Sequence, residues 1–218
     1  MTSNSQTFLH DLGAVVAAEL GPEFAFSKSK LELKRKVLEG HDVIILSGSA
    51  KHSPFVNVAF YYGKNFTAVR SLEKATRAYA FPYHIQQYSP NWRSDSAKTY
   101  RGGGSWSIDI DNAPPDLAQE LVAAIHAIAF PFFARFRSLV VARNALATDD
   151  PECFGGPVFW RQLLRLDAAL DDLQHFQQWS QCLDEWARSQ AEAEIAKFSS
   201  IAGRTRGSLK ATLVRSGT

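Results

Sequence analysis

The sequence predicts an α+β protein built on an antiparallel sheet of four to six strands. Apolar residues recur at helical spacing near the N-terminus, alternate with polar residues through much of the first half, and return to helical spacing in the second half. Alternation at period two is typical of half-buried strands. We therefore expect an N-terminal helix and a mid-chain helix to pack on the sheet, with a helical C-terminal annex after them.

The first half of the chain carries the predicted sheet. An amphipathic helix over residues 5–20 should end at Gly21-Pro22, because the residue before proline disfavours the helical conformation. Turns are expected at Glu39–Asp42 and Gly63–Asn65, and residues 71–100 are expected to be irregular. Strands are predicted at Phe24–Val37, Asp42–Gly48, Phe55–Tyr62, Phe66–Val69 and Ser105–Asp111.

The second half is predicted to be helical. Pro114-Pro115-Asp116 suits a helix start, and Pro131 should kink or stop that helix within FPFFARF. A second helical block over residues 159–199 should break near Asp171-Asp172. We expect an α+β domain over residues 1–145, an annex over 155–200 packed on it, and a basic, flexible tail over 201–218.

Composition and charge narrow the class of protein. Hydrophobic residues make up 45% of the chain, which is enough for a real core, and the net charge of +2 gives no reason to expect nucleic acid or an anionic membrane as a partner. The acidic part lies in residues 111–200, with 13 acidic against 7 basic side chains. Its two cysteines fit neither a zinc site nor a disulfide framework. Without an apolar leader pattern, the expected compartment is the cytoplasm.

No motif in the sequence predicts catalysis, a metal or a cofactor. The glycines of Arg101–Trp106 precede a strand, whereas phosphate-binding loops precede a helix. Asp109 and Asp111 share a strand face without an obvious third ligand, so ordinary solvent-facing carboxylates are favoured. The six histidines are scattered, and no GxSxG nucleophile elbow occurs.

Two aromatic segments are candidates for a binding surface. FPFFARF (Phe130–Phe136) favours a core corner, because apolar rings at a proline usually pack inward, over a partner-binding patch. The aromatic and basic residues of the loop-like region from Tyr79 to Trp106 could cap the sheet or bind a partner, since Tyr, Trp and Arg dominate protein interfaces. The partner-binding candidates there are Tyr88, Trp92, Arg93, Tyr100, Arg101 and Trp106.

The order of elements over residues 5–140 resembles a known family. The resemblance rests on LELKRKVLEGHDVIIL, an FVNVAF strand, and WSIDIDNAPPDLAQELVAAIHAIAFPFFARF. The family comprises uncharacterised small bacterial α+β proteins and includes immunity-like members of polymorphic toxin systems. The resemblance implies a non-enzymatic binding protein whose partner is a cognate toxin. It supplies no site residues.

Two other classes of function remain open at this point. An enzyme or small-ligand-binding protein could use a pocket between the sheet and the annex, with His84, Asp109 and Asp111. A structural or regulatory subunit could self-associate through FPFFARF and the helix face of Trp179 and Trp186. A bound metal or cofactor would favour the former, and a concentration-dependent mass the latter.

Overall fold

A computed structural model shows the predicted α+β fold, with an N-terminal helix and C-terminal helices around one antiparallel sheet. The structure describes residues 3–52, 55–77, 83–88, 100–101, 105–148, 150 and 159–199. The strands are β1 (Phe24–Ser27), β2 (Glu32–Val37), β3 (Gly40–His52), β4 (Phe55–Phe66), β5 (Ile85–Tyr88), β6 (Tyr100–Arg101) and β7 (Ser105–Asp109).

The sheet is built around β3 and β4, its two longest strands. The strand order is β1-β2-β3-β4-β7-β6, and β5 also pairs with β4. Strand β3 pairs along one edge of β4, so the other edge of β4 is shared by two strands. There, β5 lies opposite residues 61–64 and β7 lies opposite residues 55–59. The seven strands exceed the four to six expected because β5 and β6 are short additions in the segment predicted to be irregular.

The helices cover one face of this sheet and one of its ends. They are α1 (Ser3–Leu20), α2 (Thr67–Thr76), α3 (Leu117–Ala124), α4 (Phe130–Arg135), α5 (Leu139–Ala147), α6 (Phe159–Ala169), α7 (Leu173–Trp179) and α8 over residues 185–199. Alternate residues of β4, among them Val58, Phe60 and Tyr62, are buried. The hydrophobic core joins these side chains to α1, α3 and α4, and extends to Leu163 of α6 and Phe198 of α8.

Four predicted elements in the first half are wrong in detail. The single strand over residues 24–37 is two strands, separated by a 3-10 turn at Lys28–Lys30 and by Leu31 in the left-handed conformation (φ 51°). The turn predicted at Glu39–Asp42 lies at Leu38–Glu39, since Val37 pairs with Gly40. A second turn at Gly63–Asn65 and a strand at Phe66–Val69 do not form, because β4 continues to Phe66 and α2 begins at Thr67.

The proline of FPFFARF neither stops nor interrupts its helix. Helical structure continues from Leu117 to Arg135, with a π-helical segment at Ile125–Ala129 just before Pro131. Proline lacks an N–H and crowds the carbonyl four residues earlier, here that of Ala127, which lies within the π-helical segment. The predicted break at Asp171-Asp172 is confirmed, with Asp171 in the left-handed conformation (φ 58°) between α6 and α7. Helix α5 was not predicted.

Candidate functional site

Trp106 does not belong to a partner surface. Its side chain is 0% exposed and packs on the ring of Phe60, with 6.0 Å between the ring centroids. Strand alternation directs Trp106 and Ile108 to the same buried face of β7. The prediction that Trp106 contacts a partner is therefore wrong. The backbones of Tyr88 and of Tyr100-Arg101 lie in β5 and β6. Their side chains, with Trp92 and Arg93, lie outside what the structure describes, so those assignments stay predictions.

The second predicted group, His84, Asp109 and Asp111, is not brought together. Asp109 pairs with Phe55 at the start of β4, whereas the His84 N–H donates to the carbonyl oxygen of Lys64 near its end (2.7 Å). Nine residues of strand separate these points, about 30 Å at 3.3 Å per residue. The Asp109 carboxylate instead accepts hydrogen bonds from the Asp111 N–H (3.1 Å) and from Asn112 Nδ2 (2.9 Å). It therefore caps a 3-10 turn.

The FPFFARF segment is a core corner, as favoured. Phe132, Phe133 and Phe136 are 5%, 3% and 0% exposed, and the first two contact Tyr62 edge to face. Trp179 is also an inward residue, since its Nε1 donates to the Ala147 carbonyl oxygen (3.1 Å). Of the aromatic residues considered for self-association, Trp186 is fully on the surface, at 66% exposed. Trp186 lines neither of the two clefts described below.

A buried ion cluster lies where α2 and α6 meet. The Glu73 carboxylate, 1% exposed, lies 3.1 Å from Arg165 Nη1, 2.9 Å from Arg70 Nη1 and 3.4 Å from His84 Nε2. Burial by itself raises the pKa of Glu73, but the hydrogen bond from His84 and the charges of Arg165 and Arg70 outweigh it and lower that pKa. This carboxylate is therefore ionised and fully engaged.

His84 is held as the neutral Nε2–H tautomer. Its Nδ1 accepts the Phe66 backbone N–H at 2.8 Å, so the ring proton must lie on Nε2, which faces Glu73. Burial lowers the pKa of His84, against the opposing influence of Glu73. Both ring nitrogens face protein groups, and the ring is 1% exposed. The contacts of His84 indicate a structural role.

A second buried cluster joins α5, α6 and α7. Asp167, 0% exposed, lies 2.8 Å from His175 Nδ1 and 3.2 Å from Arg143 Nη1, which also reaches Asp172 at 3.2 Å. Burial raises the pKa of Asp167, although His175 and Arg143 oppose it. An Asp-His pair can orient a catalytic imidazole. Asp167 and His175 line neither of the two clefts described below, and their contacts join three helices.

A third cluster lines an open cleft. Asp42, 1% exposed, accepts from Lys64 Nζ at 2.6 Å and from Arg35 Nη2 at 2.6 Å. Lys64 also donates to the Phe133 carbonyl oxygen (3.3 Å). The Arg35 guanidinium packs over the rings of Phe24 and Phe130, 5.0 and 4.9 Å from their centroids. The cleft lies between β2–β4 and α4 and has a volume of about 620 Å³.

The β2–β3 turn stands between this cleft and a second one of about 480 Å³. Val37, Leu38 and Glu39 line both clefts, and Leu38 is 100% exposed. We call these three residues with the two clefts the turn surface. The turn is anchored at Glu39, whose carbonyl oxygen accepts from Thr67 N (2.9 Å) and whose carboxylate accepts from Leu139 N (2.7 Å). The anchors lie at the first residues of α2 and α5.

Leu38 is an unusual residue for this position. Two-residue hairpin turns favour Asn and Gly in left-handed conformations, yet neither Leu38 nor Glu39 has a positive φ. A fully exposed Leu side chain contributes no hydrophobic free energy to folding, because it stays in water. Neither hairpin geometry nor packing therefore explains the residue. Sequence reasoning missed the turn surface, although an apolar residue within a two-residue turn was a usable signal.

The described residues hold no group of three or more potential metal ligands. One helix, Leu117–Arg135, is long and apolar enough to cross a membrane by length and composition. It contributes Leu121, Ile125 and Phe132 to the core. Core helices pass the same test, so the finding is weak evidence for a membrane span.

Comparison with known proteins adds no assignment, because no protein-family model, curated protein or solved structure matches the chain. The resemblance described above therefore stays a prediction. Within the described chain, the turn surface combines an exposed apolar side chain, flanking clefts and a fixed backbone.

Proposed function

We propose that this protein is a non-enzymatic protein-binding module, and that it neutralises a bacterial toxin by covering it with the turn surface. The observation that carries the proposal is Leu38, which is fully exposed on a turn held at both the backbone and the side chain of Glu39. Interface hot spots cluster in well-packed, desolvated pockets, and the turn surface has a cleft on each side of Leu38. A fixed backbone lowers the entropy lost on binding.

The toxin-neutralising part of the proposal rests on the resemblance of residues 5–140 to immunity-like proteins. Such a protein needs a stable scaffold and a specific surface. The three buried ion clusters and the continuous core suit a rigid scaffold.

The test uses the full chain as bait in its native host, with mass spectrometry as the readout. We expect one stoichiometric protein, encoded beside this one and toxic when expressed alone, whose toxicity co-expression suppresses. Leu38→Asp should weaken binding of that protein at least about tenfold, because a charge replaces a buried apolar anchor. Val15→Asp, at a second exposed apolar residue on α1 (46% exposed), is the matched control.

Two results would refute the proposal. One is recovery of the bait alone, and the other is equal binding by Leu38→Asp and by the wild type. The thermal stability of both variants is measured alongside, so that unfolding is not mistaken for a binding defect.

A small-ligand protein is the second candidate, favoured by the size of the larger cleft. Its volume of about 620 Å³ lies in the range of ligand pockets, and Arg35 and Lys64 stand over an aromatic wall. This cleft differs in place from the pocket expected between the sheet and the annex, because it is lined by α4. The contact between α2 and the annex helix α6 holds the buried Glu73–Arg165 pair. Recovery of a bound metabolite from the purified protein would support this candidate.

A further inference from the structure

The chemistry of the larger cleft indicates what kind of partner the turn surface fits. Three cationic side chains line it, Arg35, Lys64 and Arg137, and two acidic ones, Asp42 and Glu39. Both acids accept hydrogen bonds from protein groups. Asp42 accepts from Arg35 and Lys64, and one oxygen of Glu39 accepts from the first N–H of α5. The cleft therefore has one positive charge in excess, and donor capacity remains on its guanidinium groups.

Arg137 supplies most of that capacity. It is exposed, and no acidic side chain in the described chain lies within ion-pair distance of it. The Arg35 guanidinium uses Nε and Nη2 on a single oxygen of Asp42, which leaves its Nη1 edge unengaged by that carboxylate. Guanidinium groups bind carboxylates through two parallel hydrogen bonds when geometry allows. The cleft thus offers two guanidinium groups.

Basic side chains also line the second cleft. Lys36 and His41 lie there. Partial burial lowers the pKa of His41, and the charges of Lys34 and Lys36 lower it further, against the opposing influence of Glu32 and Asp42. Lys36 therefore adds a cationic group on the other side of the turn.

The apolar part of the surface complements this charge. Leu38 projects fully into solvent at the turn, and Phe130 and Phe133 form the wall of the larger cleft behind it. A small anion inside the cleft would leave Leu38 uncovered. A ligand that covers Leu38 as well must extend across the turn, as a polypeptide segment does.

We propose, on the basis of the proposed function, that the turn surface recognises an acidic segment of the partner protein. A partner carboxylate binds between Arg137 and Arg35, and a neighbouring apolar side chain of the same segment packs against Leu38. Charge complementarity is the reason for choosing an acidic segment, and the exposed Leu38 is the reason for choosing a polypeptide.

The first experiment selects peptides from a displayed library of random sequences on the immobilised full-length protein. We expect enrichment of sequences in which Asp or Glu stands beside Leu, Phe or another large apolar residue. The Arg137→Glu variant should lose that enrichment. Enrichment of basic or uncharged sequences, identical enrichment on Arg137→Glu, or no enrichment would overturn the proposal.

The second experiment titrates a selected peptide into the ¹⁵N-labelled protein and follows the backbone amide of Leu38 and the Nε–H of Arg137. Both signals should move together, and replacing the acids of the peptide by amides should weaken binding at least about tenfold. Arg137→Glu should weaken binding similarly, whereas Lys30→Glu should not. Lys30 is exposed and lies beyond the other end of β2, about 20 Å along the strand.

Sodium acetate serves as the small-anion probe. If acetate moved the Arg137 signal as strongly as the peptide did, the cleft would be a small-anion site and the proposal would fail. This failure differs from failure of the proposed function. Suppose that a captured partner is lost with Leu38→Asp but retained with Arg137→Glu. The turn surface would then still be the docking surface, but it would not recognise an acidic segment.

Discussion

Replacing Glu73 by Gln should be among the most destabilising single changes in this protein. The carboxylate is 1% exposed and lies 3.1 Å from Arg165 Nη1, whose side chain is 4% exposed. Gln keeps the shape but removes the charge, which deprives the buried Arg165 guanidinium of the carboxylate that it contacts. Removing one partner of a buried ion pair costs about 3–5 kcal/mol.

The expected size of the effect can be measured in urea and by heat. In a protein of this length, each kcal/mol shifts the melting temperature by about 2–4 °C, so Glu73→Gln should lower it by roughly 10 °C. Unfolding is followed by circular dichroism and by tryptophan fluorescence. Arg70→Ala is the matched control. Arg70 contacts the same carboxylate, but its side chain is 36% exposed, and such a surface pair contributes about 0–1 kcal/mol.

A double variant separates the charge from the packing. In Glu73→Leu with Arg165→Met, neither buried charge remains, and apolar replacement of a buried pair is often close to neutral. The double variant should therefore be less destabilised than the sum of the two single variants, by about 2 kcal/mol or more. It will not recover fully, because His84 Nε2–H loses the carboxylate it faces. A cost of Glu73→Gln below that of Arg70→Ala, or strict additivity in the cycle, would refute this reasoning.

Three further results are expected. The folded pKa of His84 lies below its unfolded value of 6.5, so the unfolded chain takes up the proton first as the pH falls. The free energy of unfolding should therefore fall below pH 6.5, by at most about 1.4 kcal/mol per pH unit. His84→Asn should reduce this slope in urea titrations. Gly40→Ala should prevent folding or lower the melting temperature sharply, because its Cβ would stand 2.0 Å from the Asn65 carbonyl oxygen; a melting temperature like that of the wild type would contradict this. Trp106→Ala should lower the free energy of unfolding in urea by about 3–5 kcal/mol, since it empties the space beside Phe60. An unchanged free energy of unfolding would indicate that the Trp106 side chain is exposed.

Local patterns predicted the helix and strand content because those patterns agree with the final packing. The spacing of apolar residues in residues 5–20 corresponds to a buried face of α1, and the alternation of Trp106 with Ser107 corresponds to the inward face of β7. That alternation was also enough to exclude Trp106 from a surface. The assignment of Trp106 to a partner surface rested on its aromatic ring, although its position on the strand indicated the buried face.

The parts that failed depend on contacts between residues far apart in the chain. Gly63-Lys64-Asn65 is a local turn signal, but Lys64 lies directly opposite Asp42 on the neighbouring strand β3 and forms an ion pair with it, so β4 continues through this signal. The anchoring of the turn surface could not be predicted for a similar reason. Glu39 is anchored at Leu139, one hundred residues later, and no local pattern announces that contact.

The positions of the buried ion clusters explain how the turn surface is held. Each cluster joins elements that are distant in sequence: Asp42 and Lys64 with the carbonyl of Phe133, Glu73 with Arg165, and Asp167 with Arg143. A misplaced buried charge loses its partner at a cost of several kcal/mol. The clusters therefore select one arrangement of helices on the sheet. The β2–β3 turn, attached to the starts of α2 and α5, takes its position from that arrangement, which suits a surface proposed to bind without reorganising.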